Sequence, residues 1–204
     1  MLYDSVAVIG NGTSRKNINI NNIHIKKICC NLAFRDINCD ALVCCDKRMV
    51  DTALNEKYSG PLYTRSDWKR RYGNKVNYLP LINIKAKNRC EQQWHWGSGT
   101  QALYLSGLLF GQVKNVHMIG FDLYSLNGLQ NNIYSNEKHY KKSDQQATDP
   151  RYWIHQCAIV FKIYKDTQFT IWQNSDWKIP HTWNCDNINI KNLENIEKTI
   201  DHEC

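Results

Sequence analysis

No apolar run in the 204 residues approaches the roughly 20 that a membrane span requires; the longest, around 102–110, carries glycine and serine. No basic stretch precedes the short apolar segment that follows Met1-Leu2-Tyr3-Asp4-Ser5, so no secretory leader is expected. Internal repeats and low-complexity linkers are absent as well. These absences exclude an integral membrane protein and a secreted mini-protein. The expected location is cytoplasmic, a viral protein made in a host cytoplasm included.

The cysteines also lack a pattern. Among nine there is no Cys-x-x-Cys, and Cys29-Cys30 and Cys44-Cys45 are adjacent, with Cys39, Cys90, Cys157, Cys185 and Cys204 scattered. Neighbours on a strand point to opposite faces, which suits neither a zinc site nor a regular disulfide framework. The expectation is reduced, buried thiols acting as small apolar side chains in a reducing compartment.

What is present is globular. Hydrophobic residues make up 42% and aromatics 11%, too much for a disordered chain, and the length suits one domain. Scarce alanine beside abundant asparagine, isoleucine and lysine reflects an AT-rich genome rather than a function. The net charge of +7 fits an anionic ligand. Its densest cluster, Lys69-Arg70-Arg71 between Trp68 and Tyr72, is single, so a solvated helix face is preferred to a nucleic-acid platform. Nucleic acid therefore ranks last among partners, and a homo-oligomer stays open.

The order of elements is more informative. Tyr3 to Ile9 reads as a buried strand, cut by Gly10-Asn11-Gly12-Thr13-Ser14. Lys27–Asn31 and Ala41–Cys45 read as strands; Asp46 opens a helix to about Lys57; Leu62-Tyr63 and Val76–Leu79 are further strand candidates. Gly97-Ser98-Gly99-Thr100 begins an amphipathic helix to about Phe110, and Val116–Gly120 follows as a strand. Helix followed by apolar strand signals a parallel sheet covered by helices. Ser125–Thr148 is polar and without periodicity, as lids and binding loops are. Asp149-Pro150 restarts order with a helix to about Lys165, striped by Ile154, Cys157, Ala158 and Phe161. Phe169–Trp172 is a final strand, and Asn187–Cys204 reads as a peripheral polar helix.

Three motifs carry chemistry. The glycine turn brings backbone N–H groups near an anion, and Asn11, Thr13 and Ser14 add donors; Arg15 stands where a dinucleotide fingerprint has its third glycine. Ser98-Gly99-Thr100 exposes helix N-terminal amides. Ile119-Gly120-Phe121-Asp122-Leu123-Tyr124 runs from a strand into the polar loop, which presents Tyr134 and His139-Tyr140. Histidine suits a general base and tyrosine hydroxyls suit a developing phosphate charge.

In order and spacing these motifs resemble glycosyltransferase family 42, the bacterial sialyltransferases, over roughly residues 3–175. The glycine turn is similar to that family's Gly-Asn-Gly-Pro-Ser, Cys30-Asn31 to its Cys-Asn, and Ser98-Gly99 to its Ser-Gly. Gly120-Phe121-Asp122-Leu123-Tyr124 with Asn127-Gly128 is similar to Gly-Ile-Asp-Phe-Tyr-Gln-Asn-Gly. Thr13 departs from the proline, Asp46 from an asparagine and His95 from an arginine of that pattern. The resemblance implies an α/β fold, a single Rossmann-type domain whose mostly parallel sheet is flanked by helices. That domain would span 1–175 with a lid at about 125–148, and 176–204 would pack on it as a C-terminal extension.

The implied activity is metal-independent, cofactor-free transfer of a sugar from a CMP-activated donor to the hydroxyl of a glycan acceptor. His139 would deprotonate the acceptor, while Tyr124 and Tyr134 would hydrogen-bond the departing phosphate. Gly10, Asn11, Gly12, Thr13, Ser14, Asn31, Asp46, Ser98, Gly99 and Thr100 would line the donor site. The alternative is a non-catalytic viral or assembly protein that keeps a nucleotide-binding fold.

Overall fold

The computed structural model describes residues 4–111, 113–125 and 127–200. Tyr3, Leu126 of the expected lid and residues 201–204 of the expected last helix lie outside them. Eight strands form one sheet: β1 (Ser5–Ile9), β2 (Lys26–Cys30), β3 (Ala41–Val43), β4 (Leu62–Thr64), β5 (Asn77–Tyr78), β6 (Asn115–Ile119), β7 (Gln168–Gln173) and β8 (Ile188–Asn192). Every pairing between them is parallel, in the order β5-β4-β3-β2-β1-β6-β7-β8. The chain thus steps outward from β1 to β5, then returns to the other side of β1 with β6. That reversal opens a crevice at the carboxyl ends of β1 and β6, where open parallel sheets bind ligands.

The strands are continuous apolar runs because both faces of the sheet are covered. All five residues of β1 are buried; Val6 and Val8 enter one core, Ala7 and Ile9 the other. The adjacent cysteines divide likewise, Cys30 to the first core and Cys29 to the second. The first core is closed by α3 (Ser98–Leu109) and α4 (Arg151–Ile163), which pack on one another. The second is closed by α1 (Lys47–Asn55), several 3-10 turns and α5 (Ile196–Ile200). The basic cluster lies on α2 (Lys69–Tyr72), where Lys69, Arg70 and Arg71 are exposed.

Four expectations change. First, α3 is not amphipathic: Ser98 and Thr100–Ser106 are buried, because the sheet covers one side and α4 the other. Second, Cys29 and Cys39 are joined by a disulfide rather than being free thiols. The chain folds back after a 3-10 turn, Asn31–Arg35, and brings Cys39 beside β2 with a Cα–Cα separation of 5.9 Å. Third, the segment after Asn187 is first a strand. Ile188 and Ile190 alternate with Asn189 and Lys191 along the sheet edge, and only then do Leu193, Ile196 and Ile200 turn inward at helical spacing. Fourth, 125–148 has little regular structure, as expected, but its centre is tied down. Ile133 N–H donates to the Asn11 carbonyl at 2.9 Å, and Leu129 bridges Gln146.

A cleft at the crevice between the first and sixth strands

The glycine turn after β1 lies against the turn after β6. Gly10 N–H donates to the Ile119 carbonyl at 2.8 Å and Gly12 N–H to the Gly120 carbonyl at 2.9 Å. A Cβ on Gly10 would strike the Gly120 carbonyl, and one on Gly12 the Asp122 carboxylate. Both glycines therefore permit close approach of backbones. Arg15, buried beneath the turn, donates from Nε to the Gly10 carbonyl at 2.8 Å, from Nη1 to Asp36 at 3.1 Å and from Nη2 to Tyr134 at 2.9 Å.

Ser98 ties three elements together. Its Oγ accepts from the Cys45 N–H at 2.9 Å, just past β3, and donates to Asn31 Oδ1 at 2.8 Å, just past β2. Asn31 takes a left-handed φ of 52°, which turns its amide toward α3. On the far side, the buried Gln156 of α4 accepts from the Gly97 N–H at 3.3 Å and donates to the Cys90 and His95 carbonyls. No side chain caps α3, so its first amides face outward with their partial positive charge.

The result is a cleft of ≈ 290 Å³. Gly10, Asn11 and Gly12 line it with Asn31 and with Ser98, Gly99 and Thr100, so the glycine turn and the start of α3 share one space. Trp153 of α4 and Cys157 stand at its other wall. Asn11 Nδ2 donates to the Tyr140 hydroxyl at 3.2 Å, whereas Asn11 Oδ1 is shielded from solvent and has no partner among the described residues. Burial pushes the Tyr140 phenol up, so it stays protonated.

The remaining residues singled out in the sequence sit elsewhere. Thr13 gives its N–H and hydroxyl to Asn131, and Ser14 gives both of its donors to Asp122, so the lid and the β6 turn hold these donors. Asp46 caps α1 through the Arg48 N–H at 2.9 Å; its carboxyl is held below the usual range, chiefly by the Arg48 side chain. Tyr134 is buried, its hydroxyl donating to Asp36 while accepting from Arg15. Tyr124 lines a second, adjoining cleft. His139 is exposed, has φ of 77°, and lines a separate cavity of ≈ 380 Å³ with Arg35, Lys47, Arg48 and Lys138.

Arg15, Tyr140, Trp153 and Gln156 were not assigned from sequence. Arg15 was visible only as a missing glycine. Gln156 carried a signal, a long polar residue beside Cys157 on the apolar stripe of its helix.

No family model matches the chain, and no curated protein matches it. Among solved structures it is similar to the monofunctional alpha-2,3-sialyltransferase Cst-I from Campylobacter jejuni, at 15% identity over 93% of this chain and 83% of that one, with a TM-score of 0.52. The sialyltransferase CST-II, in complex with a trisaccharide acceptor and CMP, aligns over 93% of this chain and 87% of its own at 15% identity, with a TM-score of 0.45. The likeness to Cst-I is one of fold: the chain has a sialyltransferase-like parallel α/β architecture.

Proposed function

We propose that the chain is a sialyltransferase-like glycosyltransferase that takes a sugar from a CMP-activated donor and passes it to an acceptor hydroxyl without a metal. The observation that carries this reading is the 290 Å³ cleft that the glycine turn, Asn31 and the start of α3 line together; beside it Asn11 Oδ1 is shielded and without a partner among the described residues, and such an oxygen calls for a donor. The uncapped start of α3 suits the donor phosphate, and Asn11 and Asn31 suit the ribose. Tyr124, which lines the adjoining cleft, would turn its hydroxyl toward the departing phosphate. Tyr140 already reaches Asn11, so His139 would take the acceptor proton once its own side chain turns from the separate cavity toward the cleft.

The experiment is incubation with CMP-sialic acid, with CMP release measured with and without glycan acceptors and with EDTA. Acceptor-dependent release that EDTA leaves unchanged is the expected result. His139→Ala should then lower transfer by about 10²–10⁴-fold while CMP affinity holds. The position of His139 outside the cleft favours a second reading, a non-catalytic nucleotide-binding module. A wild-type chain that binds CMP and releases none from the donor would establish that reading instead.

A further inference from the structure

The larger cleft, ≈ 740 Å³, opens beside the first at the carboxyl ends of β1, β6 and β7. Asp122 and Asn131 line both, so the two spaces adjoin. Its size falls among small-molecule sites, which run to about 300–1,000 Å³.

One wall is aromatic and fixed. The rings of Tyr124 and Trp177 stand 6.3 Å apart at 44°. The Trp177 indole N–H donates to the Asp122 carbonyl at 2.7 Å, and the ring also packs against Trp183 at 6.3 Å. Trp183 is itself anchored by its N–H on the Ile154 carbonyl at 2.8 Å. A ring held in this way loses little freedom when a ligand settles on it. Ile18 and Leu193 add apolar surface, and exposed polar groups complete the lining: Asn17 and Asn174 offer amides, Asp176 and Glu194 offer carboxylates. Three carboxylates, Asp122 included, stand against one cation, Lys178. That balance repels phosphates and acids while welcoming hydroxyl donors.

An indole face beside amides and carboxylates is the chemistry that recognises a sugar ring. The C–H face of a pyranose is apolar and weakly positive, the indole face is electron-rich, and the hydroxyls at the ring edge need both donors and acceptors. We propose that this cleft binds an uncharged, hydroxyl-rich pyranoside on Trp177, with Asn174, Asp176 and Glu194 holding its hydroxyls. That this sugar is the acceptor rests on the transferase reading; the binding itself does not.

Saturation-transfer NMR of the full chain, without nucleotide, with methyl β-galactopyranoside, methyl β-glucopyranoside and N-acetylglucosamine tests it. At least one should receive transfer through its ring C–H protons. Trp177→Ala should weaken that binding by about tenfold, and Trp177→Phe should retain most of it. Because Trp177 also packs on Trp183, Glu194→Ala at an exposed position provides an arm independent of folding and should weaken binding severalfold. Saturating CMP should not displace the sugar. No transfer to any pyranoside, binding unchanged by both Trp177→Ala and Glu194→Ala, or displacement by CMP would each overturn the proposal. A chain that binds pyranoside but not CMP upholds this site and removes the donor reading. One that binds CMP but no pyranoside removes this site alone.

Discussion

Arg15 joins three parts of the chain with one guanidinium. It is 3% exposed, and its donors reach the carbonyl of the glycine turn, Asp36 beyond β2, and Tyr134 of the 125–148 segment. Lysine cannot fork across these partners, so Arg15→Lys should recover little of what Arg15→Met loses. The loss should be on the order of 1–3 kcal/mol, since removal leaves the Gly10 carbonyl and the buried Tyr134 hydroxyl without this donor, while Asp36 is exposed to solvent. Urea unfolding of the two variants measures it; two variants as stable as wild type would show the guanidinium to be idle. At the same scale, burial pushes the Cys45 and Cys157 thiols up to about 12. Both stay protonated near neutrality, so iodoacetamide at pH 8 should spare them in the folded chain and label them after unfolding. Their folded pKa lies above the unfolded one. The stability they contribute is therefore full below the ordinary thiol range and is lost as pH rises from about 9 toward 12. The melting temperature should fall across that window, and peptide mass mapping that finds Cys45 alkylated in the native protein would contradict the burial.

At the scale of elements, the site is set by where α3 begins. Ser98 is the pin between the ends of β2 and β3 and the first turn of that helix. Ser98→Ala leaves the Cys45 N–H and Asn31 Oδ1 without this partner and should cost about 1–3 kcal/mol. It should also weaken CMP binding, because Asn31 at φ 52° loses the bond that holds its amide toward the cleft. Thermal shift with and without CMP checks both, and an Ser98→Ala chain that binds CMP as wild type does would separate Ser98 from the site. The helix start was legible, since Gly97-Ser98-Gly99-Thr100 is a local signal. So were the strand ends that frame the crevice, each an apolar run stopped by glycine or asparagine. Gln156 was not, because its partners are the Gly97 amide and two carbonyls in a segment more than fifty residues earlier in the chain. The buried character of α3 was hidden for the same reason: periodicity describes one covered face, and the second cover, α4, comes from forty residues later.

At the scale of the molecule, the parallel sheet was readable from alternating helix and strand, but its last strand was not. Ile188–Asn192 is five residues of mixed polarity, and it becomes a strand only by pairing with β7 from Phe169↔Ile188 to Gln173↔Asn192. Residues 176–200 serve both cores. Trp183 is 3% exposed and meets Phe161 edge-on at 5.0 Å in the first; Leu193, Ile196 and Ile200 are buried in the second. Asn187 Nδ2 closes the end of α4 by donating to the Phe161, Tyr164 and Thr167 carbonyls, each at 3.0 Å. Each buried large side chain contributes about 1.5–3 kcal/mol, so four of them approach the roughly 5–15 kcal/mol that holds a whole domain folded. A chain ended at residue 175 should therefore lose its cooperative thermal transition, because β7 becomes a bare edge and both cores open. Circular dichroism melting of the 1–175 and 1–204 chains compares them directly. Should 1–175 melt as sharply and as high as the full chain, the C-terminal segment would be an appendage on a complete domain; loss of the transition would make it the closing piece of the sheet and of both cores.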